Sequence, residues 1–382
     1  MEEYINAYYG GTLGIAKRYG IEKGDNDFTV ANQANAFNVV YGAKVYNQLN
    51  TKSEVAKLLK KEPWTQSGWR VMTTRPVDDG GNADFAAGTA EGGAFGDTTA
   101  PTLKEVEATL KEIVTPYELS TKAELLSDAD DGLKGLAAFM RKEMGDAHVF
   151  GMDQMLLADA DTPAGNNLES LDRVTTTDAY CNPSGGPLSA RTDGDMYNLT
   201  KQTEAAWMDA GHTGHNDGSD RALTTAMLDD MIEGVMTNGA NYADLILLTG
   251  HDTYMNLQQL LTKGGDGGAA TILRYDAAQE GAASQNGVLG QAGLNYDSRV
   301  GSYNGIPIFV SQHVTKEASG TSRIHLLDLP QFALRVAAPT TYVANDNLAV
   351  TQSLTKQFAL ITAMELITYR WNTSGSVRDL NA

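Results

Sequence analysis

Apolar residues recur at mostly three- and four-residue steps from Leu133 through Leu136, Ala137, Met140, Met144, Ala147, Gly151 and Met155 to Ala158. Steps of that size keep one face of a helix apolar, so the pattern predicts a long amphipathic helix over 128–160. At about 1.5 Å per residue such a helix spans roughly 50 Å, more than one face of an ordinary compact domain requires. Ser127 or Asp128 is placed to cap it, and Asp128, Asp130 and Asp131 set negative charge at the positive end of its dipole. A second periodic run, Leu223, Met227, Met231, Ile232 and Val235, ends at Asn238-Gly239, a left-handed stop. The short apolar run Ala243 to Thr249 reads as a buried strand and Thr253 to Lys263 as the next helix, giving a helix–strand–helix unit.

Other stretches alternate with the period of a strand. Trp69, Val71 and Thr73 do so, and further strands are read at 324–327, 332–337 and 358–369. Asn304-Gly305, between Val300 and Ile306-Pro307-Ile308-Phe309-Val310, signals a hairpin, because both central residues of its tight turn need positive φ. Leu103 to Leu119 fits either period and leans helical by pattern alone. Phe37 to Leu59 is rich in helix formers, with Thr51 and Glu54 spaced as a capping box. Two stretches break the periodicity. Asp161 to Asp220 reads as loops joining small strands, and Asp78 to Asp97 holds six glycines and five acidic residues. A loop of that length inside a compact domain signals function, disorder, or an arm ordered by something outside its own subunit.

Composition narrows the classes. The chain has 382 residues, enough for one large core or two smaller ones, and a formal net charge of -19 that repels nucleic-acid phosphates over most of its surface. No run reaches the roughly 18 apolar residues of a membrane span, and the acidic start is unlike a signal peptide, so a soluble, unexported protein is expected. Cys181 is the single cysteine and cannot form an internal disulfide. Two glycosylation triplets, at Asn198 and Asn372, are read as chance.

Motifs for chemistry are sparse. Gly10-Gly11-Thr12-Leu13-Gly14 lacks the Gly-Lys-Ser/Thr ending of a phosphate loop, and Gly92-Gly93-Ala94-Phe95-Gly96 lacks dinucleotide spacing. Cys181 has no nucleophile context. The best constellation is 211–220, where His212, His215, Asp217 and Asp220 could surround a divalent cation. The same Gly/Asn/Asp composition is what a turn with unusual backbone angles needs, and no metal or cofactor is assigned. His251, His313 and His325 stand singly and read as structural.

The order of elements resembles the major capsid proteins of tailed bacterial and archaeal viruses, the Hong Kong 97 fold. The resemblance lies in Val114-Thr115-Pro116-Tyr117-Glu118-Leu119-Ser120, then Glu124-Leu125-Leu126-Ser127-Asp128, then the long helix ending Asp153-Gln154-Met155-Leu156-Leu157. The glycine-rich span is similar to the extended loop of that family, and 223–263 to its axial helix–strand–helix. Gly305-Ile306-Pro307-Ile308 is similar to its returning strand, and Phe358 to Tyr369 with Ser376-Val377-Arg378-Asp379-Leu380 to its closing strand and tail. The resemblance requires Leu103 to Leu119 to be extended, and Pro116 supports that against the helical lean.

It implies an α+β chain with an amino-terminal arm and helices (1–62), an extended loop (63–119), a peripheral domain with the spine helix (120–221), an axial domain (222–315) and return strands (316–382). It further implies a virion shell protein, not an enzyme, that forms hexamers and pentamers around double-stranded DNA after assembly in the host cytoplasm. Its partners would be copies of itself, with a scaffold, protease, portal and decoration proteins. Trp64, Trp69, Phe85 and Phe95 are the candidates for contacts between subunits, with local anchoring as the alternative. Two rivals stand beside this reading, an encapsulin-like compartment and a metal-dependent hydrolase at His212 and His215. Deleting Asp79–Gly96 is expected to leave the subunit folded and block closed particles, checked by circular dichroism together with negative-stain microscopy; unimpaired particles would remove that role from the arm.

Overall fold

The structure is a computed structural model and describes residues 55–74, 91–92, 100–127, 136–158, 165–177, 195–201, 203–216, 219–263, 299–314, 322–345 and 355–381. In chain order the first elements are α1 (Val55–Leu58), β1 (Lys60–Pro63), β2 (Gly68–Thr74), β3 (Thr102–Glu107), β4 (Lys111–Ser120), α2 (Thr121–Ser127), α3 (Leu136–Leu156), α4 (Leu171–Val174), β5 (Asp195–Met196) and β6 (Leu199–Thr200). They are followed by α5 (Ala205–Met208), β7 (His212–Gly214), α6 (Thr225–Thr237), β8 (Leu245–Thr249), α7 (His251–Lys263), β9 (Arg299–Tyr303), β10 (Ile306–Val310), β11 (Ser322–Asp328), β12 (Phe332–Asn345), β13 (Thr355–Thr368) and β14 (Gly375–Leu380). Two compact units emerge, one containing Glu112–Met152 and Ala338–Ala363, the other Glu54–Lys111, Asp153–Ala337 and Met364–Ala382.

In the first unit, β4 turns Ile113, Tyr117 and Leu119 inward and leaves Val114 half-exposed, the alternation of a sheet covered on one side. Tyr117 stacks on Phe358 at 4.8 Å, Phe358 on Tyr342 at 5.6 Å, and the Arg141 guanidinium lies 4.2 Å from the Tyr342 ring. The long helix is present, but its most deeply buried positions differ from the expected stripe. They include His148 and Met152, one turn apart, whereas Ala147 faces outward. His148 holds an interior position because two hydroxyls satisfy its ring: Nδ1 lies 2.8 Å from Thr115 Oγ1, and Nε2 lies 2.7 Å from Thr362 Oγ1. Described helix ends at Leu156, short of the expected 160, and Ser127 is the last described residue of α2. Residues 128–131, the proposed cap charges, lie outside the described residues, as do Thr51, Glu54 and Cys181.

The second unit holds a six-stranded sheet, order β7-β14-β11-β8-β10-β9. Leu228, Met231 and Val235 of α6 and Leu257 of α7 pack on Leu245, Leu247, Ile308, Ile324, Leu326 and Val377 from one face of that sheet. Helix α6 starts where Thr224 Oγ1 accepts the Met227 N–H at 3.4 Å, and Gly239 follows its end at φ +81°. Asn304 (φ 49°) and Gly305 (φ 87°) form the expected β9–β10 turn. Leu103 to Leu119 is extended as the family resemblance required: β3 pairs antiparallel with β2, Trp69 opposite Val106 and Met72 opposite Leu103. Among the described residues, no helix is long and apolar enough to cross a membrane.

Helix α6 reaches the sheet where side chains are missing. A Cβ on Gly234 would lie 2.9 Å from Gly211 O, and one on Gly375 would lie 2.9 Å from His212 O and 3.2 Å from Val235 Cγ2. Gly375→Ala is expected to cost about 1–3 kcal/mol through overpacking, read as a lower urea midpoint; an unchanged midpoint would mean that helix and strands separate at no cost.

Candidate functional site

The antiparallel ribbon β2–β3 is fixed at its root by contacts of several kinds. Trp69 is buried within its own chain, edge-on to Tyr197 at 5.1 Å. Tyr197 in turn meets Trp371 at 6.4 Å, and Trp371 meets Trp207 at 5.3 Å. The Arg335 guanidinium sits 5.5 Å from the Trp69 ring. Polar ties reinforce this chain of rings. The Glu107 N–H donates to Asn198 Oδ1 at 2.7 Å. Glu204 accepts Lys104 Nζ at 2.8 Å and Trp207 Nε1 at 2.6 Å, bonds that hold its carboxyl below the ordinary range.

Farther out, the ribbon exposes apolar surface. Met72 and Leu103, directly opposed, are each 56% exposed, beside the exposed Arg70–Glu105 ion pair. Of the sequence candidates, Trp69 is an internal anchor, and Trp64 is half-buried with its backbone N–H donated to Val336 O at 2.9 Å. Phe85 and Phe95 lie outside the described residues. Sequence reasoning passed over Met72 and Leu103. The signal was available, since Met72 falls on the strand face opposite Trp69 and Val71.

A second polar arrangement is wholly interior. Strand β11 alternates Ile324 and Leu326, which join the apolar cluster, with Arg323 and His325, which point to the other face and are also buried. There, Asp172 of α4 receives Arg378 Nη1 and lies 3.4 Å from Arg323 Nη1. Burial by itself opposes ionisation of Asp172, but Arg323 and Arg378 outweigh it and hold the carboxyl well below the usual range. His325 accepts or donates at Thr175 Oγ1, 3.0 Å from its Nδ1, and burial with the two arginines pushes it down to about 3. The backbone of the same segment is tied by Ser376 Oγ to Thr175 O at 2.8 Å and by Lys201 Nζ to Arg173 O at 2.9 Å.

The loop singled out for metal binding closes on itself. His212 lies in β7, paired with Gly375. The Asn216 N–H donates to Asp379 Oδ2 at 2.6 Å, and its Nδ2 donates to Ser219 O at 3.0 Å. Asp217 lies outside the described residues; among those described, no group of three or more His, Cys, Asp or Glu side chains could hold a metal ion.

No protein-family model matches the chain, and no curated protein matches it. Solved structures do. The capsid asymmetric unit of cyanophage A-1(L) is similar over 89% of this chain and 96% of its own, at TM-score 0.59 and 15% identity. The capsid of a native GTA particle matches 88% of this chain and 93% of its own, at TM-score 0.54 and 11% identity. The capsid of Myoviridae phage XM1 matches 88% and 95%, at TM-score 0.51 and 9% identity. At such identities the likeness is one of fold, and the fold is α+β of the Hong Kong 97 capsid type.

Two outcomes follow from the interior charges. Asp172→Asn leaves buried guanidiniums without their counter-charge and is expected to cost about 3–5 kcal/mol in urea unfolding; a loss below about 1 kcal/mol would mean water reaches them. Because His325 titrates lower folded than unfolded, its stabilisation is whole above about 6.5 and is lost as the pH falls toward about 3. His325→Gln is expected to flatten that acid limb of the pH–stability curve, and an unchanged limb would assign it to other groups.

Proposed function

We propose that this chain is the repeating shell subunit of a tailed bacterial or archaeal virus, assembling as hexamers and pentamers into an icosahedral head around double-stranded DNA. The observation that carries this reading is the capsid fold across nearly nine-tenths of the chain, joined to a ribbon rigid at its root and apolar farther out. A monomer gains nothing from exposing Met72 and Leu103, whereas a neighbouring copy removes them from water on assembly. Its work is contact, not turnover. The segments 63–119, 120–221 and 222–315 correspond in this reading to the extended loop, peripheral domain and axial domain.

The charge balance suits a container. A net charge of -19 keeps free subunits apart and soluble, and counterions screen the wall from packed DNA beyond about 10 Å at moderate salt. Specific reading of bases is unnecessary to such a role. A scaffold, protease, portal and decoration proteins would be its partners, and the virion its final location after assembly in the host cytoplasm.

Negative-stain microscopy of the purified chain tests the reading: closed shells are expected, and small oligomers under every salt condition tried would overturn it. The double variant Met72→Asp/Leu103→Asp is expected to keep the far-ultraviolet dichroism and thermal midpoint of the parent, yet reduce particle yield at least tenfold; normal yield would move the contact elsewhere.

A further inference from the structure

Segment 165–177 is fastened to β13 through a pair of buried carboxyls that the shell reading does not use. Glu365 of β13 accepts the backbone N–H of Glu169 at 2.8 Å and that of Leu366 at 2.9 Å, both on Oε1. Glu169 Oε1 accepts the Ser170 N–H at 3.3 Å and faces Arg173 Nε at 3.0 Å. The charged and titratable groups around Glu365 come from each packed element: Glu169 and Arg173 from the segment, Lys111 from the start of β4, and Tyr197 from the β5–β6 turn, whose hydroxyl donates to Leu366 O at 2.8 Å. Lys111 spends its ammonium on Gly165 O, and Arg173 faces Glu169. An ionised Glu365 would therefore add a second negative charge beside Glu169 inside the protein, where water cannot solvate it.

We propose that Glu365 is a proton-held latch: protonated, it fastens Glu169 and the segment 165–177 to β13, and rising pH opens that segment by drawing the proton away. Burial first, with the charge of Glu169 adding to it, pushes the Glu365 carboxyl up to about 8, against the opposing pull of the Glu169 and Leu366 N–H bonds and of Lys111, which favour the ionised form but do not outweigh burial. In an opened segment the same carboxyl meets water and titrates near 4.5. Between those values opening releases a proton, so the opened fraction grows about tenfold per pH unit and then levels off. The latch is tightest in mild acid and loosest in mild alkali. It is independent of the shell reading, because it concerns a single folded chain.

Hydrogen–deuterium exchange of the full chain from pH 5 to pH 9, corrected for the intrinsic pH dependence of amide exchange, tests it. Protection of peptides spanning 165–177 is expected to fall about tenfold per pH unit up to about 8 and then level, while peptides of 245–249 hold theirs. Glu365→Gln keeps the accepting oxygen but cannot ionise, and its profile for 165–177 is expected to be flat. A flat profile in the parent, a slope retained in Glu365→Gln, or an equal fall at 245–249 would each overturn the latch. Should Glu365→Gln fail to fold, Glu169→Gln decides: with the neighbouring charge gone, levelling is expected at lower pH, and an unmoved levelling point counts against the proposal.

Discussion

A guanidinium taken out of water must find a carboxylate, and in the second unit that requirement fixes which segments lie together. Arg323 and Arg378 belong to adjacent strands of one sheet, and Asp172 enters between them from a short helix. Lone charges at these positions would carry a penalty of several kcal/mol each. Around Arg323 and Arg378 the sheet consequently has no solvent side. One face is packed by α6 and α7, and the other is closed by the segment that carries Asp172, with Lys201 and Ser376 tying down its backbone. Replacing such a network by apolar residues is often neutral for stability; what the charges add is a demand for one arrangement.

That arrangement also orients the ribbon. Trp371 lies in the turn between β13 and β14 and belongs to the same ring series as Trp207, Tyr197 and Trp69. A two-stranded ribbon is marginal by itself, so its direction is inherited from the body to which its root is clamped. A rigid root under an apolar outer portion suits docking on a neighbour, since less freedom remains to be lost when contact is made.

Much of this was legible in the sequence. The α6–β8–α7 unit and the Asn304-Gly305 turn rest on local chemistry, periodicity and positive φ, and they fall where the pattern put them. The helical lean at Leu103 to Leu119 failed because that stretch satisfies both periods, and the choice was made by pairing with β2 and by Pro116. His148 was invisible to a hydrophobic pattern because its burial depends on hydroxyls 33 residues before it and 214 after it. Strand β11 was ambiguous for another reason. Alternation of Arg323 and His325 with Ile324 and Leu326 normally signals a wet face, and only long-range charge pairing makes that face dry. Of the aromatic contact candidates, Trp69 was recognised as important but its anchoring role depends on Tyr197, which no local pattern ties to it.

The position of β14 has a kinetic consequence. It lies between β7 and β11, yet it follows both in the chain. Until residues 375–380 leave the ribosome, the sheet has a gap in its interior, Arg378 is missing from beside Asp172, and α6 has lost part of its floor. A chain truncated before that strand therefore cannot finish its fold, and the translation machinery itself acts as a gate that withholds the closed sheet until the last strand is made.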